Sequence, residues 1–191
     1  FMLKRVYEIS GTGAPMRESV RWQQSEGRLE LRARRAVSPK EAWVWEIAAS
    51  TDGELIALTW RREGLPAAQA RYRWEGDSWV GEFDSAGQGR QLVWPLARGL
   101  HPVFATAASD FLLLRRLGLP AGSQRRVEIL SVPADCFDSA PGHLLVDRLS
   151  DGSYRITDEQ GRSSTLEIDN DGWLVARRDE DGTVWRRLQE S

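Results

Sequence analysis

Apolar and polar residues alternate with a period of two along most of the chain, the spacing of strands that turn one face to a core. In GRLELRARRAV, Leu29, Leu31 and Ala33 fall on one side and Arg28, Glu30, Arg32 and Arg34 on the other, which predicts a half-buried strand. EAWVWEIAAS places Trp43, Trp45 and Ile47 together but has apolar Val44 opposite them, so this strand is expected to be covered on both sides, near the middle of the structure. ELIALTW, ending on Trp60, reads similarly. ARYRWE sets Tyr72 and Trp74 against Arg71, Arg73 and Glu75, and SWVGEF puts Trp79 and Phe83 on one face. Asp-Gly pairs at 52–53, 151–152, 171–172 and 181–182 are flanked by such segments and predict two-residue hairpin turns with positive φ. The last forty or so residues read as a meander, and the template yields about a dozen strands in all. No repeat of 20 to 50 residues is visible, which disfavours propellers and solenoids.

One stretch breaks the rhythm. TAASDFLLLRRLGLP predicts a helix over residues 106–117: Thr106 or Ser109 can cap its start, Asp110 lies in the first turn, and Arg115 and Arg116 lie in the last. Gly118 is placed for a left-handed C-cap, and Pro120 prevents continuation. Phe111, Leu112, Leu113, Leu114 and Leu117 leave little polar circumference, the mark of a buried helix, and only sheet is available to bury it. The expected architecture is all-β: a large antiparallel β-roll or open barrel, one domain over residues 1–191, with one central helix on its concave face.

Composition narrows the partners. With 26 basic and 28 acidic residues the formal net charge is −2, so no global field attracts nucleic acid or an anionic membrane. Residues 17–40 lean basic, seven against three, and residues 147–190 lean acidic, eleven against seven; both read as solvated strand faces. Cys136 is the single cysteine, which excludes an intrachain disulfide and a closed cysteine zinc site and favours a reducing compartment. Phe1 precedes Met2, which points to Met2 as the natural start, and no run is long and apolar enough for a membrane span. A cytoplasmic protein is expected. Six of the nine tryptophans lie in residues 43–94, where they can fill a wide β interior or line an apolar pocket.

The helical stretch also carries a family resemblance. Residues 106–117, TAASDFLLLRRL, resemble in register a run of the form S-P-A-T-N-x-x-P-I-R-R-L found in a bacterial family of β-roll proteins described as glycolipid-binding and likened to lipoprotein carriers. Ser109 and Asp110 stand at the family's Thr-Asn pair, while Ala107 and Leu113 replace prolines. VEILSVPADCF and the closing STLEIDNDGWLVARRDEDGTVWRRL are similar to its later strands; the first half matches in strand rhythm alone. The resemblance implies the roll more than a function, with a glycolipid-like amphipathic ligand as its functional lead and no catalytic residues; no cofactor is expected.

Candidate chemistry is sparse. A hydrolase would need a nucleophile, a base and an orienting acid; His101 or His143 near Asp110 or Ser109 are the available parts, without a nucleophile-elbow sequence. Cys136 and His143 could form a dyad, although a structural cysteine is favoured. DNDG and DEDG lack the twelve-residue calcium-loop spacing, GTG lacks the Lys-Ser/Thr of a phosphate loop, and the Glu-x-Glu-x-Lys signature of triphosphate tunnel enzymes is absent. Trp and Arg in RYRW and WRR could stack on and neutralise single-stranded nucleic acid, but alternation sends them to opposite faces. The expectation is therefore a non-enzymatic binding module. Trp43, Trp45, Trp60, Trp74 and Phe111 would line a cavity, with Asp110, Arg115 or Arg116 at the head group of a lipid-like ligand. The alternatives are a hydrolase using His101 or His143, and a purely structural or interaction domain with a filled core.

Overall fold

The period-two segments fold as strands that pair in the order in which they are made. β1 (Leu3–Ser10), β2 (Met16–Ser25), β3 (Arg28–Ser38), β4 (Glu41–Ser50), β5 (Leu55–Glu63), β6 (Ala68–Glu75), β7 (Ser78–Ser85) and β8 (Gln88–Pro95) form one antiparallel meander. β9 (His101–Phe104) leads into the helix α1 (Ala107–Leu117). A second meander follows: β10 (Ser123–Val132), β11 (Ala140–Arg148), β12 (Tyr154–Asp158), β13 (Ser163–Ile168), β14 (Leu174–Asp179) and β15 (Val184–Arg187). β1 pairs antiparallel with β15, Tyr7 opposite Arg187, and fuses the two meanders into one 15-stranded curled sheet. β8 and β9 are its ends, and β9 runs parallel to β10. The computed structural model describes residues 2–11, 13–64, 68–85, 87–95, 101–132 and 140–189, so Cys136 lies outside the described residues.

The predicted Asp-Gly turns are present, one residue longer than expected. In each, the residue before a three-residue loop donates to the carbonyl of the residue after it, as in Ser50 N–H to Glu54 O and Asp169 N–H to Trp173 O, both 2.8 Å, and its own carbonyl accepts from the glycine that closes the loop. The closing glycines, Gly53, Gly152, Gly172 and Gly182, all have positive φ. Three-residue loops that end on a left-handed glycine extend a strand by a bulge and keep its right-handed twist. Glu159-Gln160-Gly161 makes the same turn without an Asp-Gly pair; Asp158 supplies the carboxylate, accepting from the N–H groups of Gln160 and Arg162.

Alternation sorts the sheet's faces as expected. Inward positions Leu29, Leu31, Ala33, Trp45, Ile47, Leu58, Trp60, Ala70 and Tyr72 are buried. The outer face carries a ladder of ion pairs: Glu63 with Arg34 and Arg61, and Glu46 with Arg61 and Arg32, at 3.3–3.8 Å. Val44 is fully buried on that outer side, between cross-strand neighbours Arg34 and Arg61, whose aliphatic stems can cover it while their charges stay in water.

The helix follows its sequence signals. Thr106 is the N-cap, its Oγ1 accepting from the N–H of Ala108, and Gly118 is the left-handed C-cap at φ 53°, its N–H donating to Leu114 O. All residues from 107 to 114 are buried, consistent with the nearly unbroken apolar circumference. α1 packs against β3, β9 and β14. Phe111 stacks on Trp173, ring centroids 4.0 Å apart and nearly parallel, and Trp173 in turn meets Trp22 at 4.3 Å. At the other flank the β4–β5 turn abuts the helix so closely that a Cβ on Gly53 would stand 2.6 Å from Leu112 O.

Candidate functional site

The first turn of α1 is held by charged side chains that the alternation pattern sends inward. Glu18 on β2 is fully buried. Its Oε1 accepts from the Thr106 hydroxyl at 2.7 Å and from the Ala107 N–H at 2.9 Å, so a carboxylate completes the helix start where the backbone N–H groups lack partners. Its Oε2 accepts from Nε and Nη2 of Arg35 on β3, at 3.1 and 2.7 Å. Arg35 also donates to Ala105 O and lies over the rings of Trp45 and Trp185, 5.3 and 4.7 Å from their centroids. Ser109 turns its Oγ back to accept from Phe104 N–H at 3.1 Å. Both charges of the Glu18–Arg35 pair are thus enclosed and hydrogen-bonded, the condition under which a buried pair is tolerated.

A second ion pair, with Asp110 buried and Arg177 half-buried, lies next along the helix. Arg177 on β14 donates through Nη1 to both carboxylate oxygens of Asp110, at 3.0 and 2.9 Å, through Nε to Asp179 at 2.6 Å, and through Nη2 to Ser164 Oγ at 3.2 Å. Burial pushes the Asp110 carboxyl above the ordinary Asp range, with Arg177 pulling the other way. Burial also works against the Arg177 charge, but Asp110 and Asp179 outweigh it and hold the guanidinium above its usual range.

This second pair forms the floor of a cleft of about 580 Å³ between α1 and the second meander. Val103, Leu113, Ile129, Leu144 and Ile156 line its apolar part. Its mouth is formed by turns β12–β13 and β14–β15, which bring Glu159, Arg162, Glu180 and Asp181 to the rim. An apolar wall, a polar floor and a hydrophilic mouth suit a small molecule with one apolar and one polar end.

The residues singled out by sequence are dispersed. Trp45 and Trp60, cross-strand neighbours, are buried in the core, and the indole N–H groups of Trp45, Trp60, Trp79 and Trp185 have no hydrogen-bond partner among the described residues. Trp43 and Trp74 are half-buried, donating to Glu41 Oε1 and Leu55 O. None of these tryptophans lines the cleft. Phe111 is committed to its stack with Trp173. Arg115 donates to Thr51 O and Arg116 pairs with Asp52 at 2.7 Å and Glu54 at 3.7 Å, so both arginines fasten the β4–β5 turn. Asp110 alone of this set lines the cleft.

The histidines part company. His101 is buried on β9, and burial, with Arg116 adding to it, pushes its pKa down to about 4. His143 lies on the cleft wall, its Nδ1 3.3 Å from Arg126 Nη2 and 3.8 Å from Glu159 Oε2. Among the described residues no group of three or more His, Cys, Asp or Glu side chains is arranged to hold a metal ion, and no helix is long and apolar enough to cross a membrane.

Sequence reasoning missed Glu18, Arg35 and Arg177. The signal was parity: Glu18 shares its side of β2 with Val20 and Trp22, and Arg35 its side of β3 with Leu29, Leu31 and Ala33. A charge at an inward position of an otherwise apolar face must find a buried partner.

No protein-family model matches the chain, and no curated protein matches it. Two solved structures share its architecture. A DUF1089 family protein from Pseudomonas aeruginosa superimposes with a TM-score of 0.61 at 14% identity, over 83% of this chain and 87% of its own. A β-barrel-like protein of the domain of unknown function DUF1849 from Brucella abortus does so with a TM-score of 0.54 at 9% identity, over 97% and 95%. At these identities the likeness is one of fold.

Proposed function

We propose that this protein is a non-enzymatic binding module for a small amphipathic molecule, held in the cleft between α1 and the second meander. The observation that supports this reading is the cleft itself: about 580 Å³, apolar along Leu113, Ile129, Leu144 and Ile156, and polar at floor and mouth. That volume lies within the range of small-molecule sites. The cleft is preferred to the expected lining of Trp43, Trp45, Trp60, Trp74 and Phe111 because Trp45 and Trp60 are buried in the core and Phe111 is stacked on Trp173. A glycolipid-like ligand, as the sequence resemblance implies, is one member of the amphipathic class. The hydrolase alternative has less support. His143 is at the cleft, but its partners are Arg126 and Glu159, and among the described residues no hydroxyl hydrogen-bonds its ring.

The test is native mass spectrometry of the gently purified full chain, followed by titration with the neutral apolar probe N-phenyl-1-naphthylamine. A saturable rise in probe fluorescence is expected, and Ala140→Trp, which places an indole at an exposed position of the cleft lining, should weaken it about tenfold, equivalent to ~1.4 kcal/mol. Absence of both a bound amphiphile and saturable probe binding would sink the reading.

A further inference from the structure

Charge distinguishes the cleft from a generic apolar pocket. Its lining carries six carboxylate side chains against two guanidinium groups. Both arginines are engaged by carboxylates: Arg177 sits between Asp110 and Asp179, and Arg162 is held by Asp158 at 2.7 Å. The surplus resides at the mouth, in Glu159, Glu180 and Asp181. Glu180 accepts from Ser163 N–H and Asp181 from Thr183 N–H, both neutral donors, and Asp181 also feels the attraction of Arg177 and Arg162. Among the described residues Glu159 pairs at 3.8 Å with His143, whose Nδ1 also lies 3.3 Å from Arg126 Nη2. No lysine lines the cleft. Its low-dielectric walls concentrate the field of this predominantly acidic rim, where Arg162 is paired with Asp158, into the opening.

Resting on the binding-module reading above, we infer that the cleft takes a cationic amphiphile: an apolar body against Leu113, Ile129 and Leu144, and an ammonium or other organic cation among Glu159, Glu180 and Asp181. An anionic head group would have to enter past these three carboxylates and would meet at the floor an Arg177 already shared by two others. A neutral polyol could donate hydroxyls to the rim, but it would bring no positive charge to offset the surplus there.

The experiment compares dodecyltrimethylammonium, dodecyl maltoside and dodecyl sulfate, each below its micelle concentration, by displacement of the neutral probe from the full chain. The ammonium compound is expected to bind at least tenfold more tightly than the other two, and to lose affinity as salt rises. Glu159→Lys should cut that preference tenfold or more. Glu26→Lys, the same charge change at an exposed turn outside the cleft, should leave it unaltered, which separates the rim from overall charge. Equal or tighter binding of the maltoside, or equal effects of the two lysine variants, overturns the cationic assignment and leaves the cleft reading standing. Binding of none of the three, with no probe uptake, overturns both.

Discussion

Replacing Glu18 with alanine tests whether the buried charges behind α1 hold the fold together. The substitution strips the two hydrogen bonds to Glu18, at 3.1 and 2.7 Å, from a guanidinium that is 6% exposed and leaves it only the one to Ala105 O among the described residues. Removing one partner of a buried pair costs about 3–5 kcal/mol, because the other charge stays buried without compensation. The Thr106 hydroxyl and the Ala107 N–H lose their acceptor in the same step, at about 1 kcal/mol or more each. These losses share one side chain and overlap, so the expected destabilisation is about 4 kcal/mol. That is a large part of the ~5–15 kcal/mol typical of a domain. Urea unfolding followed by tryptophan fluorescence gives the figure directly, provided the m-value is unchanged. Glu18→Gln retains an acceptor for the helix but turns an amide toward Arg35, so it should lose somewhat less. Glu18→Leu combined with Arg35→Met should recover much of the stability lost by Glu18→Leu alone, since neither charge then remains. A Glu18→Ala loss below about 1 kcal/mol, or strict additivity in the double variant, would refute the reasoning and make the pair incidental.

Two further outcomes follow from geometry elsewhere. His101 has a folded pKa pushed down to about 4 from 6.5 by burial, so the fold prefers the neutral ring; its contribution is complete above about pH 6.5 and is lost as pH falls from there through 4, by roughly 3 kcal/mol. His101→Gln should flatten that limb in urea midpoints taken at pH 7, 5.5 and 4.5, and an unchanged slope would count against it; Asp110, with its raised pKa, contributes with the opposite sign in both proteins. Gly53→Ala must fit a Cβ 2.6 Å from Leu112 O at φ +93° and should cost about 2 kcal/mol or more, whereas Gly27→Ala, at φ +71° with nothing within 4 Å, carries the backbone strain alone. Similar melting temperatures for the two variants would show that the turn does not press on the helix.

The strands, the turns and the helix were readable because each rests on local rules. Alternation sorted the inward faces of β3 to β7, and Thr106 and Gly118 closed α1 where capping chemistry placed them. The position of the cleft was not readable, for a physical reason. Arg115 and Arg116 look in sequence like free cations at a helix end, and only the close approach of the β4–β5 turn turns them into structural clasps. Likewise, Arg177 acquires its role from Asp110 and Ser164, two segments that chain folding alone brings to it. The tryptophans misled for a related reason: an apolar side chain on an inward face fits a cavity wall and a filled core equally well, and the distinction depends on what lies opposite.

The pairing of β1 with β15 bears on how the molecule assembles. Every other antiparallel neighbour is also a neighbour in sequence, so each meander can zip up hairpin by hairpin with little loop entropy at each step. The seam between β1 and β15 is different: it joins the most distant parts of the chain, through only four paired positions. Glu18 reaches across the interior to α1, and Asp110 reaches from α1 to β14, so the same helix latches one meander to the other. Assembly should therefore hinge on docking two preformed halves around α1, and mechanical tension applied between β1 and β15 would open the protein at this seam like a clasp before either half unravels.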